Sequence, residues 1–106
     1  MSNILVNAPK TARRGDVVEI KALIMHPMET GFRPGPNGRI IPRNIIERFT
    51  ATWNGAEIFA MDMSPAIAAN PFVSFFAEAK ESGAVVLRWT GDEGFAAEQR
   101  IDIAVE

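Results

Sequence analysis

Two runs of alternating apolar and polar residues, joined by Asn54-Gly55, constrain the fold of this chain more than any other feature. In the first run, residues 45–53, every second side chain from Phe49 onward is apolar and those between are polar. This period of two residues is that of a β-strand, and an Asn-Gly pair favours the tight turn of a β-hairpin. The sequence therefore predicts an antiparallel hairpin whose return strand is residues 56–63.

The same alternation continues along the chain in short runs that end at turn signals. Besides the hairpin, strands are predicted at residues 4–6, 16–25, 72–80, 84–90 and 95–106. Residues 64–71 carry two prolines and are predicted to cross between sheets without a helix longer than one turn. A set of about seven short strands is typical of an immunoglobulin-like fold. We therefore predict one all-β domain over residues 1–106, an immunoglobulin-like β-sandwich of about seven antiparallel strands.

One side of each predicted strand supplies the core of this sandwich. Apolar side chains that alternate with polar ones are expected to be largely buried. The residues expected in the core are Val18, Ile20, Ile24, Phe49, Trp53, Leu87, Trp89, Ile101 and Ile103.

The composition excludes several classes of site and partner. The chain of 106 residues has a net charge of −2 and no basic run, so it lacks the positive surface that binds nucleic acid or an anionic membrane. It has no cysteine, which excludes a disulfide, a thiolate nucleophile and a thiolate metal site. No apolar stretch approaches the ~18 residues of a membrane helix, and the N-terminus does not read as a signal peptide. Taken alone, the sequence is typical of a soluble cytoplasmic protein.

The connection between the strands at residues 16–25 and 45–53 is the least ordinary part of the sequence. Connections in compact domains commonly have ~4–6 residues, whereas this one is several times longer and contains a histidine, arginines and large apolar side chains. Because long loops in compact domains are commonly functional, we predict a recognition surface rather than a catalytic site. The predicted partner-binding residues are His26, Met28, Glu29, Thr30, Phe32, Arg33, Arg43 and Asn44.

Two further features favour binding to another protein. Four arginines lie in and beside the long connection, and their guanidinium groups suit paired hydrogen bonds to a partner's carboxylates. The chain also has more large apolar side chains than the inner faces of a small sandwich need, and such a surplus commonly marks an interface. The arginines are Arg33, Arg39, Arg43 and Arg48, and the apolar residues are Phe32, Ile40, Ile41, Ile45, Ile46, Phe72, Phe75 and Phe76.

The only histidine, His26, leaves two chemical alternatives open. A small hydrolase would build its triad on this residue, but no nucleophile-elbow pattern accompanies it. A periplasmic copper-binding protein would combine the imidazole with methionine thioethers, which suit Cu(I), although methionines are also common in cores and interfaces. Those methionines are Met25, Met28, Met61 and Met63. Since a lone His-Pro at a strand end is more often a loop anchor, we predict no catalytic residue, no metal ligand and no cofactor.

Five short motifs, taken together, form a distinctive pattern along the chain. Residues 26–33 read His-Pro-Met-Glu-Thr-Gly-Phe-Arg, residues 42–46 read Pro-Arg-Asn-Ile-Ile, and Asn-Gly follows at 54–55. Residues 65–71 read Pro-Ala-Ile-Ala-Ala-Asn-Pro, and residues 81–83 read Glu-Ser-Gly. Together these motifs resemble the SoxZ family of the sulfur-oxidation system, and the resemblance extends from end to end of the chain.

The resemblance implies a small immunoglobulin-like sandwich that forms a heterodimer with SoxY, the subunit whose cysteine, on a glycine-rich C-terminal arm, carries the sulfur. It implies a non-catalytic scaffold in a carrier on which periplasmic Sox enzymes, as transient partners, load, oxidise and hydrolyse thiosulfate-derived sulfur. Export in the folded state together with SoxY would place the chain in the periplasm without a signal peptide of its own. Ala51 departs from many relatives, which have a cysteine there, so a cross-link through this position is not expected. The apolar surplus predicts a homo-oligomer when SoxY is absent.

Overall fold

Eight β-strands and one short 3₁₀ helix form the fold, in a computed structural model that describes residues 3–106. The strands are β1 (Ile4–Asn7), β2 (Thr11–Ala12), β3 (Val17–Ile24), β4 (Ile46–Trp53), β5 (Ala56–Asp62), β6 (Phe72–Glu78), β7 (Gly83–Gly91) and β8 (Ala96–Val105). The 3₁₀ helix, Asp92–Gly94, lies in the turn between β7 and β8. No helix within residues 3–106 has the length and apolarity needed to cross a membrane.

The strands form two sheets that face each other. The smaller sheet has the order β1-β3-β6, and the larger has the order β2-β8-β7-β4-β5. Neighbouring strands are antiparallel except β2 and β8, which are parallel. This arrangement confirms the predicted all-β, immunoglobulin-like sandwich. The additional strand, β2, has only two residues, which is too few to show an alternating pattern.

The hairpin predicted at Asn54-Gly55 is present and joins β4 to β5. Both turn residues have positive φ angles, 51° and 84°, as a type I′ turn requires. The Asn54 side chain also holds β7, because its Oδ1 accepts a hydrogen bond from Ala84 N and its Nδ2 donates one to Ser82 O, both at 3.1 Å. A side chain on Gly83 would overlap with this amide, which explains the glycine at the start of β7.

The core lies between the sheets and is rich in aromatic side chains. The ring of Phe49 in β4 packs against Trp89 in its own sheet and Phe75 in the other, with centroids 5.0 and 6.0 Å away. The predicted core residues are buried with one exception. Ile101 is only partly buried, because the three-stranded sheet is narrower than the five-stranded one and leaves part of β8 uncovered.

Two connections cross between the sheets at the same end of the sandwich. Residues 25–45 lead from β3 in the smaller sheet to β4 in the larger, and residues 63–71 lead back from β5 to β6. The second connection contains the two prolines and no helix, as predicted. Since Leu23, near the end of β3, pairs with Phe72 at the start of β6, the two connections lie side by side.

Candidate partner-binding surfaces

Residues 25–45, which we call the finger, form an irregular hairpin rather than an open loop. Two isolated β-bridges, Glu29 with Asn44 and Pro34 with Ile40, pair its two sides. The molecule is 58 Å long, whereas its longest strand, of ten residues, spans only ~34 Å. The finger therefore extends the molecule beyond the two sheets.

His26 anchors the base of the finger in the core. It is 5% exposed, and its ring packs edge-on against Phe95 with centroids 4.8 Å apart. Nδ1 accepts a hydrogen bond from Met28 N at 3.0 Å, so the neutral ring carries its proton on Nε2. Burial lowers the pKa of His26, and the negative charge of Asp92 opposes this shift without reversing it. His26 is therefore held as a neutral, structural side chain.

Met28 fixes the first turn of the finger. Its φ of 50° lies in the left-handed region, which residues other than glycine rarely adopt. Its side chain is buried, and Sδ accepts a hydrogen bond from Ile46 N at 3.2 Å, at the start of β4. The two ends of the finger are thereby joined through the core.

Two bidentate ion pairs brace the finger. Arg33 Nε and Nη2 donate to the two oxygens of Glu29 at 3.0 and 2.9 Å. Arg43 donates in the same way to Asp92 at 2.8 and 2.7 Å, and Asp92 also accepts a hydrogen bond from Ile45 N at 3.1 Å. The hydrogen bonds from the arginines lower the pKa values of both carboxyl groups. The first pair stiffens the finger itself, and the second ties it to the turn between β7 and β8.

The structure divides the eight predicted partner-binding residues by their exposure. His26 and Met28 are buried and support the finger from within. Phe32 is 81% exposed, and Thr30 shapes this segment because its Oγ1 accepts a hydrogen bond from Phe32 N at 3.2 Å. The side chain of Arg33 remains 63% exposed despite its ion pair. A partner would therefore meet Phe32 and Arg33 on the surface. The other three predicted residues, Glu29, Arg43 and Asn44, lie in the pairs described above.

The outer face of the three-stranded sheet is a second candidate surface. Leu5 of β1, Leu23 of β3 and Phe72 of β6 lie opposite one another across the sheet. Val17 of β3 and Phe76 of β6 point to the same side further along their strands. Apart from Leu23, which is half-buried, these side chains are 58–71% exposed. We call these five residues the apolar face.

The outer face of the five-stranded sheet has the opposite character. Arg88 of β7 pairs with Glu98 of β8 at 3.5 Å, and Arg100 pairs with Asp102 at 3.1 Å. Such charged pairs suit a surface in contact with solvent, whereas clustered exposed apolar groups are typical of an interface. The sequence predicts an apolar surplus but does not by itself assign this surplus to a face. The feature that indicates an exposed apolar face is the alternation in β6, where Phe72 and Phe76 point outward and Phe75 points into the core.

Two clefts open in the part of the chain that the structure describes. The larger of the two, of about 570 Å³, lies between β5 and the end of β6. It is lined by the apolar residues Trp53, Ile58 and Phe76 and by the charged residues Glu57, Glu78, Lys80 and Glu81. The smaller, of about 330 Å³, is lined by Met63 and by crossover residues. His26 lines neither cleft. Within residues 3–106, no three His, Cys, Asp or Glu side chains are grouped so that they could hold a metal.

Three of the five side chains in the copper hypothesis, His26, Met28 and Met63, take part in packing or hydrogen bonds within the chain. Nδ1 of His26 and the sulfur of Met28 each accept a hydrogen bond from a backbone amide. Met63 is buried, whereas Met25 is 49% exposed.

Solved structures of several proteins share this fold. A superoxide reductase (neelaredoxin) from Ignicoccus hospitalis is 18% identical, with a TM-score of 0.75 over 97% of this chain and 80% of that chain. A putative superoxide reductase from Thermotoga maritima is 14% identical, with a TM-score of 0.67 over 97% and 85%. The sulfur carrier protein SoxY from Chlorobium limicola f thiosulfatophilum is 15% identical, with a TM-score of 0.66 over 96% and 74%. At these identities the likeness concerns the fold alone.

The sequence itself is similar to one protein family. No curated protein matches it significantly, but the sequence model of the family described as "Sulphur oxidation protein SoxZ" matches residues 6–102. This match includes the finger, the crossover and nearly all of both sheets. The chain therefore belongs to the SoxZ family.

Proposed function

We propose that this chain is the non-catalytic subunit of a carrier complex in the oxidation of thiosulfate and related sulfur compounds. It binds SoxY and supports the presentation of the sulfur held on the SoxY cysteine to the Sox enzymes. The observation that carries this proposal is the family match over residues 6–102. The chain has no cysteine, so the sulfur itself must be carried by the partner.

Two features of the surface support a role in binding. The apolar face exposes large side chains on one sheet, as expected of a subunit that is completed by another chain. The finger is braced by ion pairs and presents Phe32 at its surface, so it can meet a partner with little loss of conformational freedom. We assign the finger to contacts with SoxY or with a visiting Sox enzyme.

The proposal places the complex in the periplasm. It follows the family resemblance, in which a subunit without a signal peptide is exported folded with SoxY. Fractionation of cells that produce the chain with and without SoxY tests this part. The chain should be recovered from the periplasm only when SoxY is present, and periplasmic recovery without SoxY would contradict co-export.

Co-expression with the SoxY subunit of the same organism tests the assembly. We expect one complex on size-exclusion chromatography at micromolar concentration, burying on the order of 2,000 Å² of surface, as permanent assemblies do. Thiosulfate oxidation by the reconstituted Sox enzymes should require this chain in addition to SoxY. A chain that does not elute with SoxY, or an assay that runs equally well without it, would contradict the proposal.

A further inference from the structure

The apolar face is continuous across all three strands of the smaller sheet. The row of Leu5, Leu23 and Phe72 spans the sheet from one edge to the other. It lies at the end where the finger begins, and Met25, the first residue after β3, is 49% exposed. The surface therefore continues from the sheet to the base of the finger.

The two charges in the middle of this surface, on Glu19 and Lys21, are of opposite sign and lie side by side. Glu19 Oε1 lies 3.8 Å from Lys21 Nζ, and Glu19 Oε2 accepts a hydrogen bond from Ser74 Oγ at 2.7 Å. A partner that covers the sheet does not need a compensating charge opposite Glu19 and Lys21. The free energy of removing charges from water is lower when two opposite charges lie next to each other. The surface thus selects an apolar protein face rather than a charged ligand.

The size of the surface indicates a folded partner. With strands ~4.8 Å apart and ~3.3 Å per residue, the outer face of the sheet measures roughly 14 by 23 Å. A stable interface covers ~800 Å² of accessible surface on each partner. The flat outline of the sheet, roughly 320 Å², is less than half of that area, and the relief of its side chains, Met25 and the base of the finger add to it. An extended peptide would cover only one strand's width of this surface.

A second copy of the chain fits this surface less well than a different chain. A twofold contact pairs identical surfaces. If the twofold axis runs along the central strand, β3, Lys21 of one copy faces Lys21 of the other. If the axis runs across the strands, the two lysines are kept apart in the register that places Lys21 opposite Glu19. In that register Phe72 of one copy faces Glu78 of the other. Either arrangement opposes like charges or buries a carboxylate against an aromatic ring, and both are unfavourable. A different chain has no such constraint.

We propose that the apolar face is the surface that packs against SoxY, sheet against sheet. This inference rests on the proposed function and names the permanent interface within it, leaving the exposed side of the finger for other contacts. SoxY from Chlorobium limicola has the same sandwich fold, so a subunit of this kind can offer a sheet of matching shape.

Variants on two different strands test the assignment. Leu5 and Phe76 are 71% and 64% exposed, so Leu5→Asp and Phe76→Asp place a carboxylate that is hydrated in the free chain but desolvated in the proposed complex. The matched control is Ala96→Asp, on the exposed outer face of β8 in the other sheet. A fourth variant, Phe32→Asp, makes the same change on the finger. Each chain is purified alone, its thermal unfolding is compared with the wild type, and its affinity for SoxY is then measured.

We expect Leu5→Asp and Phe76→Asp each to weaken SoxY binding by at least about tenfold, as at central interface positions. Ala96→Asp should stay within about twofold of the wild type, because surface changes away from an interface have little effect. If a face variant unfolds at a clearly lower temperature, Leu5→Ser and Phe76→Ser replace it, since they remove the apolar contact without adding a charge.

The outcomes separate this inference from the proposed function. If the wild-type chain does not bind SoxY, the proposed function fails. If it binds and the face variants bind equally well, the proposed function stands and the apolar face is the wrong surface. If only Phe32→Asp loses SoxY binding, the interface with SoxY lies on the finger and the inference is wrong. If the face variants abolish self-association of the free chain but leave SoxY binding unchanged, a second copy is the true occupant, which also overturns the inference.

Discussion

His26 and Asn70 are joined by two hydrogen bonds that link the base of the finger to the crossover. His26 N donates to Asn70 Oδ1 at 2.9 Å, and Asn70 N donates to His26 O at 2.8 Å. Asn70 has a φ of 52°, a left-handed conformation that asparagine adopts more readily than most residues. The two connections between the sheets are thus fastened to each other at one asparagine.

Replacing Asn70 by alanine should lower the free energy of unfolding by ~1–3 kcal/mol, because it removes the acceptor of the His26 amide and strains the backbone. Asn70→Gly is the matched control, since it removes the same side chain but tolerates the positive φ. Urea denaturation of both variants separates the two contributions. Equal losses would show that backbone conformation is unimportant at this position.

The free energy of unfolding should fall as the pH is lowered below about 6.5, the ordinary pKa of histidine. Burial lowers the pKa of His26 in the folded chain, so between that pKa and 6.5 the unfolded state binds more protons than the folded state. The stability that His26 contributes is complete above this window and is lost as the pH falls through it. Urea denaturation at a series of pH values measures the slope.

His26→Asn isolates this effect, because asparagine does not titrate and its Oδ1 can accept the hydrogen bond of Met28 N in place of Nδ1. As His26 is the only histidine, the variant should lose most of the pH dependence between pH 5 and 7. The Glu29 and Asp92 carboxyl groups, whose pKa values are lowered, lose their stabilising charge only at lower pH. An unchanged slope would contradict a buried neutral histidine.

Two isoleucines of β8 provide a matched test of core packing. Ile103 is 1% exposed, whereas Ile101 is only partly buried. Ile103→Ala should cost ~2–5 kcal/mol of the free energy of unfolding, as expected for a fully packed aliphatic side chain. Ile101→Ala should cost clearly less, because its side chain already contacts solvent. A larger loss for Ile101→Ala than for Ile103→Ala would contradict the partial burial of Ile101.

The exposed side of the finger is expected to serve binding and not stability. Phe32→Ala should change the free energy of unfolding by no more than ~0.5 kcal/mol, since the side chain is exposed. It should nevertheless lower the rate at which the assembled carrier is used by a Sox enzyme, measured by thiosulfate oxidation at limiting carrier concentration. Ile40→Ala, at a finger residue that is also exposed, gives the comparison within the same element. Unchanged rates for both variants would remove the finger from the proposed function.

Much of the fold was predictable from local sequence. The hairpin at Asn54-Gly55 needed only an alternating pattern and a turn signal, and the structure contains it as predicted. Burial along β3 also followed from alternation, because Val18, Ile20 and Ile24 face one side of a strand. Such features are set by residues within a few positions of one another, which a single sequence displays directly.

The arrangement of the candidate surfaces depends on distant residues and was not predictable in the same way. Arg43 and Asp92 are 49 positions apart, so their ion pair cannot be predicted from a short-range spacing of charged residues. The sequence predicts Arg43 only as a group that binds a partner, and nothing in it points to Asp92. Likewise, Leu5 and Phe72 share the apolar face only because both β1 and β6 pair with β3.

The unequal outer faces of the two sheets have a consequence for how a cell can make this protein. A chain produced in excess of its partner leaves Leu5, Val17, Phe72 and Phe76 in water, and chaperones and proteases act on such surfaces. We expect the surplus to be short-lived, so that the slower-made subunit sets the level of both. The apolar face would then regulate abundance by making survival of the chain depend on assembly.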